Sequence, residues 1–186
     1  ATGSTAGDGG GLAFDENGTV SNVTISGNHA GTDGGGIWED EGVIVNNSLV
    51  STNTANLGGG VFADWTLQAA SVAIVDNKSS GANNAGGGVY VAANGNNRID
   101  FQAVTVAGNV SDSGAGIAVD QPAGGGTLTN STVGFNRTSA GVEQDCALLG
   151  SGGVPLSSAG GNVVGDTTCG FGTSSDRQGA SKQGYW

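Results

Sequence analysis

A glycine cluster followed by an apolar residue recurs along the chain, and this repeat limits the fold more tightly than anything else in the sequence. Gly9-Gly10-Gly11-Leu12, Gly34-Gly35-Gly36-Ile37, Gly58-Gly59-Gly60-Val61 and Gly86-Gly87-Gly88-Val89 are followed by the variant Gly114-Ala115-Gly116-Ile117. Successive clusters lie 25, 24, 28 and 28 residues apart. When the chain is cut at the glycines, Asn28, Asn53, Asn77, Asn109 and Asn136 fall into one column. Three positions before each Asn stand Ile25, Val50, Ile74, Val106 and Val133; eight positions before stand Val20, Val45, Ala69, Phe101 and Leu128. Both columns are wholly apolar although the gaps elsewhere vary, so the period is structural.

That period is too short for a propeller blade. Glycine runs disfavour helix by about 1 kcal/mol per residue. Short stretches such as Val20–Ile25 and Phe101–Val106 read as strands. Each period then supplies about three short strands and their turns, which is one coil of a solenoid. The expectation is an all-β fold: a right-handed, single-stranded parallel β-helix of about five coils of 24–28 residues. The handedness follows from the general bias of parallel crossovers. Coils are expected over residues 1–140, and a C-terminal closing segment of the same domain over 141–186. Equivalent side chains would stack about 4.8 Å apart. The two apolar columns then fill the interior, and the five asparagines form an internal amide ladder. The glycines are expected at sharp corners, where positive φ carries no Cβ penalty. Asn94-Gly95-Asn96-Asn97 and Pro122-Ala123-Gly124-Gly125-Gly126 read as loops.

Composition narrows the function classes. Thirty-eight glycines with 11% charged residues could signal disorder, but prolines number 2 and the aliphatic residues are patterned. A net charge of −11 argues against nucleic-acid and anionic-membrane partners. Without methionine, Ala1 is not expected to be an intact translation start; a processed product or a fragment is expected. No signal-peptide core and no apolar run of about 18 residues is present, so no membrane insertion is expected in this segment. Cys146 and Cys169 are the only cysteines and read as one disulfide, worth roughly 3 kcal/mol in the chain-entropy account. A disulfide favours an oxidising compartment, hence an extracellular or cell-surface setting.

The Gly-Gly-Gly-Ile/Val motif with the segment ending Ile25–Asn28 resembles bacterial surface β-helix proteins, namely the polymorphic outer-membrane protein repeats and the choice-of-anchor β-helix group. Asp145-Cys146, Gly160–Asp166 and Cys169-Gly170-Phe171 resemble the closing segment of the latter. The long continuation usual after Asp176–Gly179 is replaced by Ala180–Trp186. The resemblance implies secretion and surface display, and it implies no reaction.

Candidate sites were few. Trp38, Phe62 and Tyr90 follow the post-glycine apolar positions and are expected to stack outward as a binding or assembly face. In that phase Glu39 must face inward. Glu39-Asp40-Glu41 is an acidic cluster, and Asp8, Asp33, Asp64, Asp112 and Asp120 sit near turns; no calcium-loop pattern links them. Basic residues are limited to Lys78, Arg98, Arg137, Arg177 and Lys182. Asp76-Asn77-Lys78 and the lone His29 do not make a catalytic set, and a non-enzymatic protein is expected. Asn17, Asn22, Asn46, Asn77, Asn109, Asn130 and Asn136 fit the N-glycosylation sequon, with Asn17 and Asn46 the sites to expect a glycan. Thr24, Thr105 and Thr132 share a column that an ice-binding face would need, but Leu49 and Ala73 interrupt it. No metal site and no cofactor is expected. The leading expectation is a structural or adhesive surface protein, self-associating head-to-tail into a fibre or engaging a cell-surface or glycan partner. Carbohydrate binding or processing is the alternative, and ice binding a minor one.

Overall fold

The computed structural model describes residues 5–93, 97–120, 124–151 and 155–179. The expected closing residues Ala180–Trp186 with Lys182, and parts of the two expected loops (94–96 and 121–123), lie outside the described residues. The described residues are all-β and form a solenoid of four parallel six-stranded sheets. Sheet I contains Thr5–Ala6, His29–Ala30, Thr54–Ala55, Lys78–Ser79, Val110–Ser111 and Arg137–Thr138. Sheet II contains Leu12–Phe14, Ile37–Glu39, Val61–Ala63, Val89–Val91, Ile117–Asp120 and Cys146–Leu149. Sheet III contains Gly18–Ser21, Val43–Asn46, Thr66–Ala70, Arg98–Gln102, Gly126–Thr129 and Leu156–Gly160. Sheet IV contains Thr24–Ser26, Leu49–Ser51, Ala73–Val75, Thr105–Ala107, Thr132–Gly134 and Val163–Val164. Each rung thus has four strands, not three. The two-residue strands of sheet I follow the ladder asparagines and are too short to show a period of their own.

The registers follow the sequence columns. Ile25, Val50, Ile74, Val106 and Val133 pair in order, as do Val20, Val45, Ala69, Phe101 and Leu128. Both columns are buried and belong to one continuous core. Alternation along each strand sends their neighbours outward.

The glycine triplets do two jobs rather than one. Only the first member takes positive φ, as at Gly34 (φ 68°). The third needs its missing side chain: a Cβ on Gly36 would lie 2.6 Å from Gly60 O and 2.8 Å from Val50 Cγ1. The other corners use the left-handed region without glycine in many rungs. One column is Asn22, Asn47, Ser71, Ala103 and Asn130; another mixes Gly27, Thr52, Asp76, Gly108 and Phe135. Non-glycine residues in that region cost about 1 kcal/mol or more each, and the stacked hydrogen bonds on both sides hold them there.

The C-terminal segment both continues the stack and ends it. Its strands Cys146–Leu149, Leu156–Gly160 and Val163–Val164 add the last rung to sheets II, III and IV. The disulfide Cys146–Cys169 is formed. Cys169 and Phe171 are buried against the core at this end. Beyond them the chain folds back along the last strand of sheet IV: Arg177 N donates to Asn162 O (2.8 Å) and Val164 N to Arg177 O (2.7 Å).

Candidate binding groove

The asparagine ladder is complete. Each amide nitrogen from Asn28 to Asn109 donates to the Oδ1 of the next asparagine, over 2.9–3.1 Å. The Nδ2 of Asn53, Asn77, Asn109 and Asn136 also donates to a main-chain carbonyl of the preceding rung, at Ile25, Val50, Ile74 and Val106. The same Oδ1 atoms accept the backbone N–H of the preceding asparagine. This is a structural column with its polar atoms spent on the fold. Asn77, Asn109 and Asn136 are buried in it and have no room for a glycan. Asp145 occupies the next position and receives Asn136 Nδ2 at 2.9 Å.

The aromatic column has the expected register and phase but not the expected exposure. Trp38, Phe62 and Tyr90 pair in order, with Ile37, Val61 and Val89 facing inward. The rings of Phe62 and Tyr90 stack at 5.4 Å. Yet Phe62 and Tyr90 are only 8% and 6% exposed. With Ala85, Ala92 and Ala118 they make a second apolar cluster, against which half-buried Trp38, Leu57 and Leu149 pack. Ala85 and Leu57, from the connections that lead into sheet II, pack against these rings. Tyr90 Oη donates to Asp120 Oδ2 at 2.6 Å. Burial, together with that carboxylate, raises the phenol pKa.

The turn acids are mostly tied within the stack. Asp8 accepts a hydrogen bond from the Thr32 hydroxyl. Asp112 accepts one from Asn84 Nδ2 at 2.7 Å. Among the described residues no group of three or more His, Cys, Asp or Glu side chains is arranged to hold a metal ion. His29 Nδ1 lies 2.8 Å from Thr54 Oγ1 on an exposed edge, and Lys78 occupies the same sheet I column two rungs from it. Thr24, Thr105 and Thr132 do share the outward column of sheet IV with Leu49 and Ala73.

The columns of the sequence did not single out a concavity that the structure shows. It lies on the outer face of sheet III, beside the connections from sheet II. A depression of about 340 Å³ is lined by Asn17, Thr19, Glu41, Gly42, Trp65 and Arg98 among others. A shallower one of about 460 Å³ continues from Ile44 and Gln68 towards Asp100, Gln102 and Thr127. Asn17, Glu41 and Trp65 also bound a third depression with Asp40 and Asp64. Trp65 and Ile44 are 43% and 42% exposed. The outward column Thr19, Ile44, Gln68, Asp100 and Thr127 forms the floor across five rungs, a length of about 19 Å at the β-stack spacing. Arg98 is paired with Asp100 at 3.2 Å.

No protein-family model, curated protein or solved structure matches this chain. What the groove can do is therefore argued from its geometry.

Glu39 supports one wall from beneath. It faces the interior, as the strand phase requires, and is fully buried. Its Oε1 accepts the Trp65 N–H at 3.1 Å, and the carboxylate also accepts the N–H of Gly42. Its Oε2 is buried without a hydrogen-bond partner. Burial pushes its pKa up to about 7, against those two hydrogen bonds, and Asp64 and Asp40 add repulsion. Glu39 does not line the groove, so it positions Gly42 and Trp65 and does not reach a ligand. Of the expected glycosylation positions, Asn17 is exposed on the groove wall and Asn46 is half-buried on its floor. The hydroxyl of the Asn46 sequon, on Ser48, is already engaged, donating to Asn46 O and accepting from Val23 N.

Proposed function

We propose that this chain is a non-enzymatic, extracellular or cell-surface adhesive protein that holds an extended glycan across the outer face of sheet III. The observation that carries the reading is the groove itself, where an exposed Trp65 and Ile44 stand among Asn17, Gln68 and Gln102. Glycan sites combine an aromatic face for sugar C–H surfaces with amide and hydroxyl groups for hydroxyls. The disulfide supports an oxidising compartment. Among the described residues no helix is long and apolar enough to cross a membrane. The acidic net charge disfavours nucleic acid as the partner.

Adhesion through the flank is favoured over growth of a fibre through the ends. Arg177 already bridges the last strand of sheet IV, Gly179 N donates to Asp166 O beyond it, and Phe171 is buried against the core there. A glycan array followed by a depolymerisation assay on each hit tests the proposal. Binding without cleavage, lost in Trp65→Ala, is expected. Release of reducing ends would replace it with an enzymatic reading, and long filaments in electron micrographs would restore the fibre.

A further inference from the structure

We propose that the ligand of this groove is a cationic polysaccharide, a chain of amino sugars with free amines. The inference rests on the glycan reading above and adds the charge of the ligand. Asp40, Glu41 and Asp64 surround the Trp65 end, and Asp100 lies further along the floor. The single basic side chain that lines these depressions, Arg98, is neutralised by Asp100. A uronic-acid chain would meet like charge at the Trp65 end, whereas an ammonium-bearing chain meets three carboxylates there beside an exposed indole. Tryptophan is the strongest aromatic partner for a cation within about 6 Å of the ring.

The site is also built rather than incidental. Gly42 has φ 130°, a conformation that disfavours a side chain, and a Cβ there would also lie 3.0 Å from Asn17 Oδ1. Glu39 holds the N–H groups of Gly42 and Trp65 together from the inside. Three successive rungs therefore present Asn17, Glu41 and Trp65 in a fixed arrangement.

The test titrates the intact protein with three oligosaccharides of equal length: glucosamine oligomers, their N-acetylated counterparts, and galacturonate oligomers. Calorimetry and tryptophan fluorescence are read under mildly acidic conditions that keep the amines protonated. The glucosamine oligomer should bind best and weaken as salt is raised. Trp65→Ala and the pair Asp40→Asn with Glu41→Gln should each weaken it about tenfold, a change of about 1.4 kcal/mol. The paired substitution should weaken the acetylated oligomer less than it weakens the glucosamine oligomer. If the acetylated or the galacturonate oligomer binds as tightly and Trp65→Ala abolishes it, the cationic assignment falls and the glycan groove stands. If none of the three binds, the groove reading falls as well. Binding of the glucosamine oligomer that is indifferent to Trp65→Ala would be diffuse attraction to an acidic surface and would overturn the site.

Discussion

Replacing Glu39 with glutamine should make the stability of this protein less dependent on pH, in a direction that the burial of the carboxyl fixes. The group's folded pKa is about 7, against an ordinary value of 4.5. Its folded value is raised, so between those limits the folded state holds more protons than the unfolded state. Stability from this group is then fully present below about pH 4.5, falls as pH rises, and is lost above about pH 7. The gap of about 2.5 pH units is worth about 3 kcal/mol. Glutamine keeps a carbonyl oxygen for the Trp65 and Gly42 N–H groups and cannot ionise. It also places an amide where Oε2 now has no partner, a penalty of about 1–3 kcal/mol that is constant with pH. The slope of the difference is therefore the readout, not its offset. Urea unfolding followed by tryptophan fluorescence, from about pH 4 to about pH 8, should show Glu39→Gln gaining about 3 kcal/mol on the wild type across that range. Asp145, raised to about 6 by burial, adds a similar slope to both proteins and cancels in the comparison. A difference that stays flat with pH would mean that Glu39 is not held in a desolvated place, and the account of the groove wall would fail with it.

Asn77→Ala removes a side chain that takes part in four ladder hydrogen bonds and strands the Asn53 N–H in the interior; a loss of about 4 kcal/mol is expected in the same unfolding assay. Two glycine-to-alanine changes should separate close approach from backbone conformation. Gly60→Ala, whose Cβ would lie 2.6 Å from Gly88 O and 2.9 Å from Ile74 Cγ2, should cost about 3 kcal/mol or more. Gly27→Ala, with open space but φ 66°, should cost about 1 kcal/mol. Reduction of Cys146–Cys169, or the double change to serine, should lower stability by roughly 3 kcal/mol for a separation of 23 residues, read as a drop in Tm with and without reductant. Equal Tm values would mean that the tail is held by its other contacts alone.

The columns that could be read directly are those in which one residue type serves one physical purpose on every rung. An internal amide must be Asn, an inward strand position must be apolar, and a position pressed against the next rung's carbonyl must be glycine. Hence the ladder, the two aliphatic columns and the triplets were all legible. The left-handed corner at Asn22, Asn47, Ser71, Ala103 and Asn130 was not, because the surrounding stack imposes the conformation and the side chain only tolerates it. Asparagine on three of those five rungs was the available signal. The aromatic column was legible in phase but not in exposure, since the segments that cover it come from connections of varying length. The groove escaped for the same reason. Its floor changes identity on every rung, from Thr19 through Ile44, Gln68 and Asp100 to Thr127, and Trp65 lies in a connection outside every column.

The buried acids mark where the repeat stops, and that bears on how such a rod meets its surroundings. An amide gives and receives hydrogen bonds, so a column of asparagines passes them from rung to rung without a net excess of donors. A carboxylate only receives. Glu39 sits where the N–H groups of Gly42 and Trp65 converge from connections outside the repeat. Asp145 sits where the ladder meets the turning tail: Oδ1 takes Asn136 Nδ2, and Oδ2 takes the Asp166 N–H at 3.0 Å. Donors arrive at Asp145 from both sides, and an ionised carboxylate returns none. A further asparagine stacked above it would present its own Oδ1 to an acceptor. The ladder is thus ended by chemistry as well as by the chain that covers it, and continuation of the same column by a second copy is disfavoured at this end. The flank of the rod carries no such stop. There the donors and acceptors of the stack are satisfied within the molecule, and the side chains of sheet III are free to vary with whatever lies against them.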